Sequence, residues 1–311
     1  MTFQNLAEHH HQDPGHHHRD LVHDGINRIL IFCILLNTGF VLVETIAGFW
    51  IHSLSLIMDA GHNLSDVAGL GLTLLAFRLS RVKPTEKYTY GYRKTSILTA
   101  LINSMVLLVI IGATGYAAMR RLFVPQPVQG GIMALVATAG IFINGFSALL
   151  LIRNKGTDLN IRGAYLHLAA DALVSAGVVV TGLLIQFSHW YWLDPVTSFL
   201  IMLVIFMHTW RLLGESLRLS MDGVPNNINF QEVEQEALKI NGVKAIHHLH
   251  IWALSTAENA LTAHIEVGIN SNLQMTRKIR QELKQEMARL HIQHCTFEME
   301  VQGESCEGMN C

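Results

Sequence analysis

Six apolar stretches fill most of the first 220 residues, at about 28–50, 55–79, 96–121, 130–152, 164–187 and 196–216. Each has roughly 20 residues or more, the length a bilayer's hydrocarbon core demands of a helix. The chain is therefore predicted to be an α-helical integral membrane protein with six transmembrane helices. Only 15% of the 311 residues are charged, against roughly 25% in soluble domains. Charges are sparse to residue 220 and dense beyond it. The net charge of −2 gives no nucleic-acid reading.

The polar connections alternate in charge. Arg78, Arg81, Lys83, Lys87, Arg93 and Lys94 lie between the second and third stretches. Arg153, Lys155 and Arg162 lie between the fourth and fifth, and Arg211 and Arg218 at and after the end of the sixth. The first and fifth connections carry no Lys or Arg. This bias predicts a multi-pass protein with both termini in the cytoplasm. Arg120 and Arg121 run against it and are expected to snorkel to the outer interface. Residues 1–25 are polar and His-rich, without the basic-then-apolar order of a signal peptide. His9-His10-His11 and His16-His17-His18 are separated by Gln12-Asp13-Pro14-Gly15, unlike an expression tag. This stretch reads as a disordered cytoplasmic tail that loosely binds metal.

From 26 to 220 the chain reads as the membrane domain, and 221–303 as a small soluble one. Asn229–Ile240 is predicted helical, Ala245–Leu254 and Ala260–Val267 are predicted strands, Met275–Leu290 an amphipathic helix and Thr296–Val301 a strand. That αββαβ order points to a two-layer α+β domain. Phe297, Met299 and Val301 are expected to face its core. Residues 304–311 form a tail with Cys306 and Cys311. The cysteine distribution fits reduced thiols or soft metal ligands rather than a disulfide scaffold.

Two four-residue steps inside the apolar stretches carry the chemistry: His62-Asn-Leu-Ser-Asp66 and His167-Leu-Ala-Ala-Asp171. A spacing of i, i+4 sets both side chains on one helix face. Ionisable groups at membrane depth are costly and read as functional by default. Two imidazoles and two carboxylates from facing helices make a tetrahedral ligand set, suited above all to Zn²⁺. Small residues around the second pair (Gly163, Ala164, Ala169, Ala170, Ala172) would let helices approach closely. Asp59 shares the face of His62 and Asp66. It reads either as a partner that holds an imidazole tautomer or as a polar residue near the interface.

The chain resembles the cation diffusion facilitator family, in particular its bacterial zinc exporters. The matching stretches are Ser55-Leu-Ile-Met-Asp-Ala-Gly-His-Asn-Leu-Ser-Asp66, Tyr90-Gly-Tyr-Arg93, Arg162-Gly-Ala-Tyr-Leu-His-Leu-Ala-Ala-Asp171, Asp194-Pro195 and His248-Leu-His-Ile-Trp252. The resemblance runs from about residue 28 to the end. It implies six transmembrane helices, a cytoplasmic ferredoxin-like domain, a homodimer in the bacterial inner membrane and divalent-metal/proton antiport. The family's transport site falls on His62, Asp66, His167 and Asp171. Some members hold a further metal in the loop after the second span. This chain has Thr85, Tyr88 and Tyr92 there, so no such site is expected. In the soluble domain the resemblance implies bound Zn²⁺ on His248, His264, His294 and Glu300, with Cys306 and Cys311 lending thiolates. His247 and His250 read as structural.

Glu44, Asn37, Asn103 and Asn144 lie within spans and are expected to bond neighbouring helices. Cys33 reads as a packed small residue, and His52, His189 and His208 as interface residues. Other function classes fit less well. A membrane metalloprotease needs a motif such as His-Glu-x2-His, which the sequence lacks, so no enzyme is expected. A channel would show a ring of weak sites. A membrane-bound metal sensor, or an exporter of wider range (Cd²⁺, Co²⁺, Ni²⁺, Mn²⁺), remains as an alternative.

Overall fold

The computed structural model describes residues 15–80, 82–153, 159–269 and 271–303. Six long helices come first: α1 (Gly15–Trp50), α2 (Leu54–Ser80), α3 (Thr95–Phe123), α4 (Gly130–Arg153), α5 (Leu159–Ser188) and α6 (Leu193–Ser220). Among the described residues, Thr95–Phe123, Gly130–Leu150, Leu166–Ser188 and Leu193–Ser220 are long and apolar enough to cross a membrane, and Ile34–Trp50 is a shorter apolar helix. The first helix begins at Gly15, well ahead of 28 and inside the stretch expected to be a disordered tail. Nucleating a helix is costly and extending one is cheap, so the apolar span propagates helix into its polar flank. Residues 1–14, with His9-His10-His11, lie outside the described residues.

The chain forms two compact units, Met1–Val67 with Thr114–Ile201, and Ala68–Ala113 with Met202–Cys311. In the first, a buried carboxylate fixes where α2 starts. Asp194 accepts hydrogen bonds from the Ser53 hydroxyl (2.7 Å), the Leu54 amide (2.7 Å), the Ser55 amide (3.2 Å) and the Ser55 hydroxyl (2.6 Å). The first amides of a helix have no partner within it, and an anion there also meets the positive end of the helix dipole. Arg121 donates to the His52 carbonyl and lies 3.9 Å from Asp194. Helices α4 and α5 meet through glycines. A Cβ on Gly182 would lie 2.8 Å from the Ala134 nitrogen and the Gly130 oxygen. The two helices thus approach closely at these glycines, near the end of α5 far from His167, and Ala170 is exposed.

In the second unit the αββαβ order appears as α7 (Phe230–Leu238), β1 (Val243–Ala253), β2 (Asn259–Val267), α8 (Leu273–Arg289) and β3 (His294–Val301). Asn229 and Asn272 cap the two helices, their side chains accepting from the first free amides. Ile279, Leu283 and Met287 recur every four residues on α8 and are buried. They meet Leu261, Ala263, Ile265 and Phe297 in one core. β1 and β2 are antiparallel, and β3 lies parallel to β2 after the α8 crossover. Phe297 and Met299 reach the core as expected, but Val301 is exposed, because it ends the strand beyond the helix layer.

Candidate metal centres

Four side chains converge in the first unit, two from α2 and two from α5. His62 Nε2 lies 3.5 Å from an oxygen of Asp66 and 3.5 Å from an oxygen of Asp171. His167 Nε2 lies 3.2 Å from Asp66 and 3.7 Å from Asp171. The two imidazole rings stand edge to face at 5.9 Å between centroids. His62, Asp66 and Asp171 offer ligand atoms all within 4.8 Å of one another. Metal–ligand bonds of about 2 Å in a tetrahedron give edges of about 3.3 Å. The four nitrogen–oxygen separations bracket that value from 3.2 to 3.7 Å. His62 and Asp171 form the enclosed half of the group, Asp66 and His167 the more open half.

Asp59 lies beside this group, without holding an imidazole. His62 Nδ1 is buried with no hydrogen-bond partner. Asp59 is fully buried, accepts from the Ser175 hydroxyl (3.2 Å) and lies within hydrogen-bonding reach of the carboxyl of Glu44. Glu44, also fully buried, accepts from the Asn63 side-chain amide (3.3 Å). Glu44 thus bonds a neighbouring helix as expected, whereas Asn144 Nδ2 is buried without a hydrogen-bond partner.

A second cluster stands on the sheet of the other unit. His247, His264 and Glu300 bring ligand atoms within 4.8 Å of one another. His264 Nδ1 is 2.5 Å from Glu300 Oε1, and His247 Nε2 is 3.0 Å from Oε2. That Oε2 is buried and accepts no hydrogen bond despite its distance from His247. The resemblance points to His248 as a ligand and His247 reads as structural; the strand register pairs His247 with His264 and keeps His248 close by. Ile251 pairs with Leu261 and His250 with Thr262. Continued unbroken, the ladder would set His248 opposite His264. A β-bulge between His247 and His250 slips it by one residue, so His247 faces His264 instead. His248 occupies the bulge with φ +49°, and its ring centroid stays 5.0 Å from that of His264.

His294 stands elsewhere. It pairs with Ala260 on β2, four positions before His264, so it lies six residues from Glu300, roughly 20 Å along the strand. Its Nε2 is 3.0 Å from an Arg93 nitrogen, and the same Arg93 nitrogen binds Glu258 at 2.5 Å. Cys295 is half-buried, donates to the Ile292 carbonyl, and burial pushes its thiol up to about 11. It is a protonated packing group, not a thiolate ligand. Cys306 and Cys311 lie outside the described residues.

Residues 30–219 match the cation efflux transmembrane domain, and residues 225–301 match the cation efflux protein cytoplasmic domain. The chain belongs to the cation efflux family. These are the cation diffusion facilitators that the paired motifs resemble, and the chain is a multi-pass membrane protein of that family. The metal cation efflux system protein CzcD of Cupriavidus metallidurans is 34% identical over 95% of this chain and 90% of its own. The zinc transporter ZitB of Escherichia coli is 33% identical over 96% of this chain and 94% of its own. A cadmium, cobalt and zinc/H⁺-K⁺ antiporter of Bacillus subtilis is 32% identical over 93% and 92%. Among solved structures, the metal-bound C-terminal domain of the CzcD transporter from Cupriavidus metallidurans matches 24% of this cation efflux protein and 99% of that chain, at 38% identity and a TM-score of 0.22.

Proposed function

We propose that this cation efflux protein exports Zn²⁺ from the cytoplasm in exchange for protons, with His62, Asp66, His167 and Asp171 holding the ion in transit. The reading rests on one observation above all: two imidazole nitrogens and two carboxylates converge at 3.2–3.7 Å in the helical part of the chain. The two carboxylates balance the charge of the ion, which low-dielectric surroundings require. Imidazole and carboxylate bind metal only when deprotonated, so protons and Zn²⁺ compete for the same four groups. Facing the cytoplasm, the group releases protons and takes the ion. Facing an acidic exterior, it does the reverse, in the range where imidazole titrates. Moving two charges outward against about 100 mV costs roughly 4.6 kcal/mol, and each proton entering returns about half of it.

In this reading α1–α6 are six transmembrane helices of the bacterial inner membrane with both termini cytoplasmic. The region 26–220 is the membrane domain, 221–303 a ferredoxin-like cytoplasmic domain through which two copies pair, and 1–25 and 304–311 its tails. The soluble domain binds a regulatory Zn²⁺ on His247, His264 and Glu300, with His248 alongside and Cys306 and Cys311 near enough in sequence to lend thiolates. His294 belongs to the contact with Arg93.

Zinc flux into proteoliposomes, with and without a pH gradient, tests the function. Flux that rises with an opposing proton gradient and vanishes in Asp66→Ala is expected; flux indifferent to the gradient would sink the antiport. A relative named for cadmium, cobalt and zinc is about as similar as the zinc transporter, at 32% against 33% identity. That favours a second reading, a wider metal range, which competition of Cd²⁺ and Co²⁺ for zinc flux decides.

A further inference from the structure

Glu44 and Asp59 lie outside the four proposed metal ligands, yet both are buried carboxyls in the helical part of the chain. Both carboxyls are fully buried, one from α1 and one from α2. Each has one oxygen held by a neutral donor, Asn63 Nδ2 on Glu44 Oε2 and the Ser175 hydroxyl on Asp59 Oδ2. The remaining oxygens, Glu44 Oε1 and Asp59 Oδ1, are buried and have no hydrogen-bond partner. Two carboxylates in reach of one another cannot both stay ionised there. One proton resolves both orphans at once: it neutralises one carboxyl, and that new O–H donates to the other.

Position decides what such a proton could do. Asp59 lies three residues before His62, so it sits one helical turn away on the same face of α2. Ser175, which donates to Asp59, lies four residues after Asp171 on α5 and so shares its face. Asn63 donates to Glu44 and Ser175 to Asp59, so the pair is tied on both helices to the turn next to the proposed metal ligands. The charged groups acting on the pair are His62 on α2 and Asp171 on α5. α4, which packs on α1, carries no titratable residue before Arg153.

We propose that Glu44 and Asp59 share a single proton as a carboxylic acid–carboxylate pair, and that this pair relays protons to and from the metal ligands. In each hop the O–H bond of the pair breaks as an N–H or O–H bond forms on a ligand released by Zn²⁺. The vacated pair then takes a proton from the aqueous phase, so no charge accumulates. The inference rests on the proton-exchange reading above and goes beyond it, since neither carboxyl belongs to the metal ligands.

Glu44→Gln and Asp59→Asn test it. Each amide can still donate to the opposite carboxylate but carries no proton that can leave. Purified variants should bind Zn²⁺, and exchange labelled Zn²⁺ for unlabelled across proteoliposomes, within about twofold of the wild type. Net flux driven by a pH gradient should fall about tenfold or more, within the reach of a lost proton-transfer group. Equal loss in both modes, or in neither, overturns the relay. A wild type that exchanges zinc but ignores the pH gradient overturns the function reading instead. Should neither variant fold, infrared spectroscopy of the wild type decides: the carbonyl stretch of a buried protonated carboxyl must be present near neutral pH. Its absence, or its loss on adding Na⁺ or K⁺ at constant pH, would show that a metal cation or nothing bridges the pair.

Discussion

The cation efflux protein builds two sites from the same alphabet of imidazole and carboxylate, and builds them differently. Between α2 and α5 the candidate ligands come as two local pairs, each spanning one helical turn. On the sheet, His247, His264 and Glu300 come from three strands, and nothing local pairs them. The first site is enclosed on the side of His62 and Asp171, whereas every member of the second is partly open. In the proposed function the enclosed site would bind an ion that protons later release, and the open site would hold an ion that stays.

Removing one ligand from each site should separate them most sharply. Asp171→Ala leaves three ligands and an unbalanced charge, so zinc flux should fall by more than about 100-fold at matched protein amounts, with folding and dimerisation intact. Flux near the wild-type rate would mean that the α2–α5 group is structural. On the sheet, His247→Ala should weaken zinc binding by the soluble domain about 10–100-fold, while His294→Ala should leave it within about twofold. Equilibrium dialysis of the two variants reads this directly, and the opposite ranking would mean that the bulge does not choose the ligand.

Selectivity offers a subtler contrast. His62→Asp replaces a nitrogen with a harder, more adaptable oxygen, so the variant should retain part of its Zn²⁺ flux and gain Cd²⁺ flux by a few-fold. A carboxylate deprotonates at lower pH than imidazolium, so the activity profile should move to lower pH. Competitive uptake of labelled zinc and cadmium across pH checks both, and an unchanged ratio would assign selectivity to helix packing. The smallest effect concerns Cys295. Burial raises its thiol to about 11, so alkylation should be slow at neutral pH, accelerate toward that value, and become fast once the domain is unfolded in urea. The sign for stability follows. The buried thiol favours the folded domain below the ordinary thiol range, and that contribution is lost as pH rises through about 11. Fast alkylation at pH 7 would place Cys295 among reactive thiols.

Legibility in the sequence tracked the distance over which each feature is decided. His62 with Asp66, and His167 with Asp171, were readable because a helix brings i and i+4 together whatever surrounds it. The αββαβ order was readable because apolar period changes with secondary structure. The pairing of His247 with His264 was not readable, because a one-residue bulge inverts which residues face a partner strand, and no residue in His247-His248-Leu-His250 marks it. The early start of α1 was missed because its polar first turns have no helical pattern of their own. Glu44 was readable only as a polar residue in a span; a carboxyl on α2 gives it meaning.

By itself, then, the sequence determined that this chain crosses a membrane several times, carries two His-x3-Asp pairs at helical spacing and has a small α+β domain after them. Hydrophobic length and helical period are properties of consecutive residues, and they hold before any packing occurs. Only the tertiary structure decided that Asp194 caps α2 from 139–141 residues away, that Glu44 and Asp59 are buried beside one another, and that His247 pairs with His264 across the strands. Those outcomes depend on which surfaces meet and in what register, and many sequences with the same local pattern would meet differently.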